Sequence, residues 1–346
     1  MDEHAHDLVS IVIPTYNGLK NLKKCLYSIV KNTDYPYYEI IVVDNASSDG
    51  TYNFLKKNFP NIRVVVNKKN VGNAEGINVG VRSAKGNFVM ILDNDIEVTK
   101  GWLRELVKLA KSNPSIGVCG SLPFWYDYRR YAPIYEGCFQ VSTVSGAAML
   151  LKKDVIKKVG LCDPSYFAYF EDTELCWRHI LFGYKVVYDS DSVVLHKGGQ
   201  TSKRMNLSFI TFHSTKNRLT TIIKIFGFRS LTKILFFEAI RLPLAFLFAL
   251  FSKRTLTTAY FISVFWVLWH MRDILQKRAE IQERRMVSDD VILRLRQSER
   301  EMHEFFLEKL LQKMSEDRTK DDFLKDNIVR RLYATRFFKK MGFPLD

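Results

Sequence analysis

Short apolar runs alternate with helix-like stretches along the first two hundred residues of the chain. Each run is rich in β-branched residues and ends in polar ones. The runs are Leu8–Pro14, Glu39–Asp44, Ile62–Val66 and Phe88–Leu92. The helix-like stretches between them are Leu19–Lys31, Thr51–Asn58 and Asn73–Ser83. Apolar strands that alternate with helices are typical of a mostly parallel sheet covered on both faces, so the pattern predicts an α/β fold.

Polar segments follow three of the four predicted strands. They are Pro14–Asn17, Asp44–Gly50 and Asp93–Asp95. In sheets of this kind, ligands bind beyond the carboxyl ends of the strands. We therefore expect these three segments to meet at one edge of the sheet and to contain the chemistry.

The pattern becomes irregular after Gly117. A loop rich in Tyr, Arg and Pro is predicted at Pro123–Tyr135, and an apolar segment at Val144–Leu151 precedes a short helix. A further helix is predicted to begin at Phe170 and to continue through Arg178.

The segment Leu219–Met271 is strongly apolar, but charged residues interrupt it repeatedly. Its longest uncharged run, Thr255–Met271, lies at the lower limit of the roughly 17–25 residues of a spanning helix. Trp266 and Trp269 within it suit a membrane interface. Interfacial helices are favoured over a spanning hairpin and over an ordinary buried helical appendage.

Charge is distributed unevenly. The whole chain carries a net charge of +15, of which residues 1–196 contribute +2 and residues 197–346 contribute +13. Such asymmetry indicates a polyanionic partner. Because the basic residues are interleaved with long aliphatic and Phe runs, an anionic membrane surface is favoured and nucleic acid is not.

The N-terminal residues and the cysteines indicate the compartment. Residues 1–7 are polar and do not fit a signal peptide, and the five cysteines include no C-x-x-C pair. These features favour a reducing environment. We expect a peripheral protein on the cytoplasmic side of the cell membrane.

Three regions are predicted from these patterns. Residues 1–222 form a catalytic domain, 223–271 form membrane-associating helices, and 272–346 form a charged helical tail with a helix start at Ser288–Asp290. The tail has apolar residues at helical spacing. These are Leu295, Met302, Phe305, Phe306, Leu310 and Met314. A solvated helical face is the favoured interpretation, and a coiled pairing surface that supports an oligomer is the alternative.

Asp93 and Asp95 bracket Asn94 directly after the apolar run Phe88–Leu92. Two carboxylates at a strand end can hold a hard divalent cation while diphosphate oxygens complete its coordination shell. Turns also favour Asp and Asn, but the position after a buried strand favours a metal site. His196 ends another apolar run, where it is either a structural residue or a third metal ligand.

Glu171 and Asp172 lie at the predicted start of a helix. Acidic residues commonly stabilise a helix N-terminus through its dipole and its free N–H groups. A pair of carboxylates can also supply a general base that deprotonates an acceptor hydroxyl.

A series of motifs occurs in a characteristic order. The motifs are P-T-Y-N, V-V-D-N-A-S-S-D-G, N-V-G-N-A-E-G-I-N-V-G, L-D-N-D, S-G-A-A-M-L, Y-F-E-D-T-E-L-C-W-R and L-H-K-G-G-Q-T-S. Together they resemble family 2 glycosyltransferases, most closely the rhamnosyltransferase-like branch. The resemblance covers about residues 8–224, and Lys216–Arg218 is similar to an R-N-R segment of that branch, with Lys replacing the first Arg.

The resemblance implies a GT-A type fold and a nucleotide-sugar donor. Asp44 would accept a hydrogen bond from the imide of uracil or thymine. Other residues would line the donor pocket or shape its floor near the diphosphate and the sugar. Those lining the pocket are Pro14, Thr15, Asn17, Asp93 and Asn94, and those shaping the floor are Asn70, Gly72, Asn78 and Gly80.

The resemblance also implies roles in catalysis. Asp95, with Asp93 and His196, would bind Mn²⁺ or Mg²⁺, and Asp172 would be the general base, with Glu171 as the alternative. Glu75 stands where the branch usually has Gly, so the donor is either dTDP-rhamnose or a UDP-sugar.

The implied reaction is an inverting transfer to a lipid-linked or cell-surface saccharide, and the lack of a Q-x-x-R-W motif favours transfer of a single sugar. Two alternative functions are less consistent with the sequence. A nucleotidyltransferase would need a Gly-rich, basic loop after the first strand, which Pro14–Gly18 does not supply. A catalytically silent, nucleotide-binding membrane scaffold would not need so many carboxylates together with His196.

Overall fold

The structure is a computed structural model that describes residues 7–125, 137–196, 206–252 and 254–299, together with residues 301 and 312. Most of the predicted loop at 123–135 and the predicted apolar tail positions from Met302 onward lie outside the described residues.

The strands and helices of residues 8–92 occur where the apolar pattern predicts them, whereas residues 123–125, which were predicted as loop, end the strand Ile116–Trp125. The described strands are β1 (Val9–Thr15), β2 (Tyr38–Asp44), β3 (Arg63–Val66), β4 (Phe88–Leu92), β5 (Ile96–Val98), β6 (Ile116–Trp125), β7 (Cys138–Gln140), β8 (Ala148–Lys152) and β9 (Lys185–His196). The described helices are α1 (Leu19–Asn32), α2 (Thr51–Asn58), α3 (Gly72–Ser83), α4 (Trp102–Ser112), α5 (Lys153–Val159), α6 (Glu171–Leu181), α7 (Leu207–Ile225), α8 (Phe228–Ser252), α9 (Arg254–Trp269) and α10 (Met271–Glu283).

Within the described residues, the strands form one mixed sheet in the order β3-β2-β1-β4-β8-β6-β9-β5, and β7 also pairs with β9. Strands β1 to β4 are parallel where they pair, and β6 is parallel to β9. Strands β5, β7 and β8 are antiparallel to their neighbours. The mostly parallel α/β fold predicted from the sequence is confirmed.

The sheet is covered on both faces. Every residue of β1 is buried, and alternate side chains point to opposite faces of the sheet. Ile11 and Ile13 join an apolar core with α1 and α4, whereas Val12 joins a second core with α3 and α6. This two-sided burial explains why β1 is apolar along its whole length.

Helix α7 runs across residue 222, where the sequence places the end of the catalytic region, and this division remains a prediction. Lys224 Nζ lies 2.9 Å from Asp163 Oδ2 and 2.7 Å from Glu174 Oε1. On α10, Lys277 Nζ lies 3.1 Å from Asp163 Oδ1. These ion pairs join α7 and α10 to the segment before α6 and to α6 itself.

Helices α8 and α9 present large apolar side chains to the exterior. Their exposed aromatic residues include Phe228, Phe236, Phe237, Phe261, Phe265 and Trp269. None of the helices in the described part of the chain combines the length and the hydropathy needed to cross a bilayer.

Candidate active site

The carboxyl ends of β1 and β2 form the first wall of the candidate site. Thr15 and Asp44 are paired in the parallel register of these strands. The Asn45 backbone N–H donates to the Thr15 carbonyl oxygen at 2.9 Å. Asp44 is buried, and its Oδ1 accepts the Ser47 backbone N–H at 2.9 Å, which orients the carboxylate at the strand end.

Asn17 joins the loops that follow these two strands. Its backbone N–H donates to Ser47 Oγ at 2.9 Å, and its side-chain Oδ1 accepts the Ser48 backbone N–H at 2.8 Å. The backbone of Asn17 has a φ of +48°, a conformation that Asn adopts more readily than most residues. Asn17 therefore shapes the predicted nucleotide pocket through contacts within the protein.

Asn94 closes the gap between the first loop and β4. Its Nδ2 donates to Thr15 Oγ1 at 2.8 Å. A Cβ at Gly18 would lie 2.4 Å from that same Asn94 Nδ2, so a larger residue at this position would require the Asn94 amide to move. Pro14 lies at the same strand end, and a Cβ at Gly76 of α3 would lie 3.3 Å from the Pro14 Cβ.

Asp93, Asp95 and His196 come together as a candidate metal site. The two aspartates follow β4, and His196 ends β9, where it pairs with Ile96 across the antiparallel ladder. One potential ligand atom from each residue lies within 4.8 Å of the other two. Asp95 Oδ1 is 3.4 Å from His196 Nε2. Carboxylate oxygens and an imidazole nitrogen are suitable ligands for Mn²⁺, and the carboxylates also suit Mg²⁺.

The two carboxylates concentrate negative charge in this cluster. Burial and the neighbouring Asp95 raise the pKa of Asp93 to about 7, and Asp172 contributes in the same direction. Burial opposes the charged form of His196, but the hydrogen bond and charge of Asp95 outweigh it and raise the pKa of His196. A cation placed among these groups would relieve the repulsion between the carboxylates.

The segment Ser145–Ala147 connects this cluster to Asp172 at the start of α6. The Ala147 carbonyl oxygen accepts the Asp93 backbone N–H at 2.9 Å. The Gly146 backbone N–H donates to Asp172 Oδ2 at 3.0 Å. A Cβ at Gly146 would lie 3.2 Å from the Asp172 Cβ, so the glycine allows the carboxylate to approach. Gly146 belongs to the S-G-A-A motif, but the sequence alone does not predict its role.

Glu171 occupies different surroundings from its neighbour. Its side chain is buried, and its Oε1 accepts Asn73 Nδ2 at 2.7 Å. Its Oε2 is also buried and has no hydrogen-bond partner within the described residues. Burial, followed by the charge of Asp172, raises the pKa of Glu171 to about 8. Burial therefore favours the protonated form of Glu171.

A strained segment precedes the two carboxylates. Phe167, Tyr169 and Phe170 have φ angles of +61°, +69° and +69°. Such values are costly for residues with a side chain and occur frequently at functional sites. Asn217 of α7 supports the segment, because its Nδ2 lies 2.9, 2.8 and 2.7 Å from the Tyr166, Ala168 and Tyr169 carbonyl oxygens, which share its two N–H donors. The sequence marked Asn217 only as part of K-N-R.

The predicted floor residues hold the start of α3 against this strained segment. Asn70 Oδ1 accepts the Gly72 backbone N–H at 3.0 Å, and Gly72 has a φ of +82°. A Cβ at Gly72 would lie 2.4 Å from the Phe167 carbonyl oxygen. Asn78 is buried, and its amide group bonds to the Cys162 backbone N–H and carbonyl at 3.0 and 2.9 Å. Gly80 allows α3 to pack closely on Val12.

The chain is similar to known glycosyltransferases in sequence. Residues 10–160 match the model of Glycosyl transferase family 2. A poly-beta-1,6-N-acetyl-D-glucosamine synthase from Staphylococcus epidermidis is 29% identical over 203 residues, which cover 52% of this chain and 48% of the synthase. An N-acetylglucosaminyl-diphospho-decaprenol L-rhamnosyltransferase from Mycobacterium tuberculosis is 24% identical over 254 residues, which cover 60% of this chain and 81% of that enzyme. The chain therefore spans about half the length of the synthase.

The fold is similar to that of a solved glycosyltransferase. The mannosyltransferase PcManGT from Pyrobaculum calidifontis, solved in complex with GDP-Man and Mn²⁺, matches with a TM-score of 0.51 and 18% identity. The match covers 80% of this chain and 85% of the mannosyltransferase. It confirms the predicted GT-A type fold.

Proposed function

We propose that the chain, whose residues 10–160 match the model of Glycosyl transferase family 2, is an inverting, metal-dependent enzyme that transfers a single sugar from a nucleoside diphosphate donor. The observation that carries this proposal is the junction at Ser145–Ala147. It joins the Asp93–Asp95–His196 cluster to Asp172 through two backbone hydrogen bonds. A candidate metal site and a candidate base are therefore joined through one short segment.

The residues of the chain can perform a direct displacement. Asp172 would accept the proton of an acceptor hydroxyl, while the Gly146 N–H and the Thr173 N–H hold its two carboxylate oxygens in place. Asp93, Asp95 and His196 would hold Mn²⁺ or Mg²⁺, which neutralises charge on a departing diphosphate. Because one displacement needs no second nucleophile, the configuration of the sugar would invert.

Asp44 is the residue that would select the donor base. It lies buried at the end of β2, with one carboxylate oxygen bound to Ser47. A carboxylate at this place would accept the N–H of a uracil or thymine imide. The similarity to a mycobacterial rhamnosyltransferase supports dTDP-rhamnose as one donor candidate, and a UDP-sugar is the other. Glu75 forms an ion pair with Arg82 and bonds to Asn78, so it has partners within the protein.

We expect the acceptor to be a lipid-linked or cell-surface saccharide. The mycobacterial relative is named as an N-acetylglucosaminyl-diphospho-decaprenol L-rhamnosyltransferase, an enzyme whose acceptor is carried on decaprenol diphosphate. The exposed aromatic residues of α8 and α9, together with the exposed Arg229 and Lys233, suit the interface of an anionic membrane. These features support contact with a membrane surface, and the proposed location is peripheral, on the cytoplasmic side.

A donor screen with the purified full-length chain tests the proposal. Release of nucleoside diphosphate would be measured with Mn²⁺ or Mg²⁺, after EDTA, and after the metal is restored. We expect activity to stop with EDTA, to return with the metal, and to be lost in Asp95→Ala. Asp154→Ala removes an exposed carboxylate of α5 and should leave activity unchanged. Full activity in excess EDTA would contradict metal dependence, and nucleotide binding without turnover would indicate a silent scaffold.

A further inference from the structure

A cavity of about 520 Å³ lies beside α6, on the side formed by α7, α9 and the helical residues 290–299. Its volume falls within the range of roughly 300–1,000 Å³ that is common for small-molecule sites. Thr173 lines the cavity, and its hydroxyl is 3.3 Å from Asp172 Oδ1. The cavity therefore reaches the proposed base through a single side chain.

The lining combines aromatic and cationic groups. Trp177 lines the cavity and is only 5% exposed, yet its indole N–H has no hydrogen-bond partner within the described residues. The Arg296 guanidinium carbon lies 5.5 Å from the centre of the Trp177 ring. Arg218 lines the cavity from α7 and forms an ion pair with Glu238. A buried N–H without a partner costs free energy, and a ligand oxygen would remove that cost.

Glu299, the acidic residue of the lining, forms hydrogen bonds within the protein. Glu299 Oε2 accepts the Ser142 hydroxyl at 2.6 Å, and Glu299 Oε1 accepts the Thr143 backbone N–H at 3.1 Å. These bonds hold the residues before the Ser145–Ala147 segment. The lining carries two arginines against this one glutamate, and the Trp177 N–H is a buried donor without a partner within the described residues.

We propose that this cavity binds the phosphate-bearing end of a phosphorylated saccharide, with Arg218, Arg296 and the Trp177 N–H as its ligands. Arginine and N–H donors recognise phosphate oxygens through charge-assisted hydrogen bonds, and the adjacent aromatic and hydroxyl groups suit a sugar ring. The identification of this saccharide as the acceptor rests on the proposed function. A saccharide held here would extend past Thr173 and present a hydroxyl to Asp172.

Calorimetric titration with N-acetylglucosamine 1-phosphate tests the cavity directly, in EDTA and without any donor. The uncharged methyl N-acetylglucosaminide is the matched control ligand. Arg296→Gln removes the cation above Trp177, and Trp177→Phe removes the N–H while keeping a ring. Arg294→Gln is the matched control, since Arg294 is exposed on the same helical segment. Thermal melting of each variant separates loss of binding from loss of folding.

We expect the phosphorylated sugar to bind at least tenfold more tightly than the methyl glycoside. Arg296→Gln should weaken this binding by about tenfold or more, since charge-assisted bonds are roughly twice as strong as neutral ones. Trp177→Phe should weaken it several-fold, and Arg294→Gln should not change it. Equal binding of the two ligands, or equal effects of Arg296→Gln and Arg294→Gln in folded protein, would overturn the proposal.

A second titration distinguishes the source of the phosphate. The same sugar linked through diphosphate to a polyprenol, in phosphatidylcholine vesicles, would bind more tightly than the soluble probe if the ligand is lipid-linked. Equal affinity would indicate a soluble sugar phosphate, and either result requires the same arginines. These titrations measure ligand binding and do not require sugar transfer. Binding that depends on Arg296 would therefore support the cavity proposal even if the donor screen found no turnover. Turnover with no such binding would reject the cavity and leave the proposed function intact.

Discussion

Glu171 and Asp172 are adjacent in the sequence, but the protein surrounds them differently. Asp172 accepts backbone N–H groups from Gly146 and Thr173 at 3.0 and 2.7 Å. Glu171 points toward α3 and bonds to Asn73. A base must be ionised and within reach of the acceptor, and the cavity lining reaches Asp172 through Thr173. This contrast supports Asp172 as the base.

We predict that Asp172→Asn lowers the transfer rate by about 10²–10⁴-fold, the usual contribution of a general base. Asparagine keeps the size of the side chain but cannot take the acceptor proton, so donor binding should persist. Glu171→Gln should have a much smaller effect, because glutamine can still accept the Asn73 hydrogen bond. Single-turnover rates and donor titrations measure both effects. A crippled Glu171→Gln enzyme beside an active Asp172→Asn enzyme would reverse the assignment.

The raised pKa of Glu171 leads to a prediction about stability. Its pKa is about 8 in the folded protein and 4.5 in the unfolded chain, so the folded state holds this proton more tightly. Stability linked to Glu171 is therefore fully present below about pH 4.5 and is lost as pH rises toward 8. Glu171→Gln should raise the melting temperature more at pH 8 than at pH 5. An equal change at both pH values would show that Glu171 titrates normally.

Asp44 leads to a prediction about the nucleotide. Uracil and thymine present an imide N–H to a carboxylate, whereas cytosine and adenine present acceptors there and would leave the Asp44 oxygen that faces them without a donor. We predict that UDP and dTDP bind better than CDP and ADP in calorimetric titrations with Mn²⁺. Asp44→Asn should reduce this preference, while Asp154→Asn should not. Equal affinity of the wild-type chain for all four diphosphates would remove Asp44 from this role.

At the scale of elements, α7 supports the strained segment that leads into α6. Asn217 is fully buried, and three carbonyl oxygens of residues 166–169 share the two N–H donors of its amide. The start of α3 contacts the same segment, because the Phe167 carbonyl oxygen accepts the Asn73 backbone N–H. Helices α3 and α7 therefore both support the backbone conformation of the segment that leads to Glu171 and Asp172.

We predict that Asn217→Ala lowers the free energy of unfolding by roughly 1–3 kcal/mol, since the two N–H groups of its amide each lose a hydrogen bond worth about 0.5–1.5 kcal/mol. Transfer should also slow at temperatures where the variant is fully folded, because the segment before Asp172 relaxes. Denaturant titration and initial rates measure the two effects. Asn58→Ala, which removes an exposed amide bonded to Phe54 of the same helix, is the control. A destabilised variant with a normal rate would restrict Asn217 to a structural role.

At the scale of the whole molecule, buried ion pairs join the C-terminal helices to the rest of the protein. Lys224 and Lys277 neutralise Asp163, and Lys224 also pairs with Glu174. The pKa of Asp163 is lowered because the attraction of these lysines outweighs its burial. Ending the chain at residue 222 would leave both acidic groups without the lysines, which is strongly destabilising for buried charges. Point substitutions on α9 are therefore a better test of membrane binding than truncation.

We predict that the full-length chain sediments with anionic vesicles and that Phe265→Ser with Trp269→Ser weakens this binding. The two rings stack with centroids 5.9 Å apart on the exposed side of α9. Salt should also weaken binding, since attraction to charged lipid is screened within about 10 Å at 0.1 M salt. Val30→Ser removes an exposed apolar side chain from α1 and is the control. Equal sedimentation of all three proteins would contradict a membrane role for α9.

Local patterns were sufficient to predict much of this protein. The strands and helices of residues 8–92 follow from the spacing of apolar residues, because two-sided burial requires continuous apolar strands. The polar residues after β1, β2 and β4 could be nominated as site residues, since parallel strands bring their carboxyl ends to one edge. His196 could be nominated because it ends an apolar run.

Contacts between distant segments decided the rest. The pairing of β5 with β9 brings His196 beside Asp95, and the segment before β8 joins Asp93 to Asp172. Neither contact has a local signal, because each depends on the order of strands in the sheet. The difference between Glu171 and Asp172 arises in the same way, since burial against α3 raises one pKa while backbone N–H groups orient the other carboxylate. Sequence spacing could propose the residues, but only tertiary packing determined their partners.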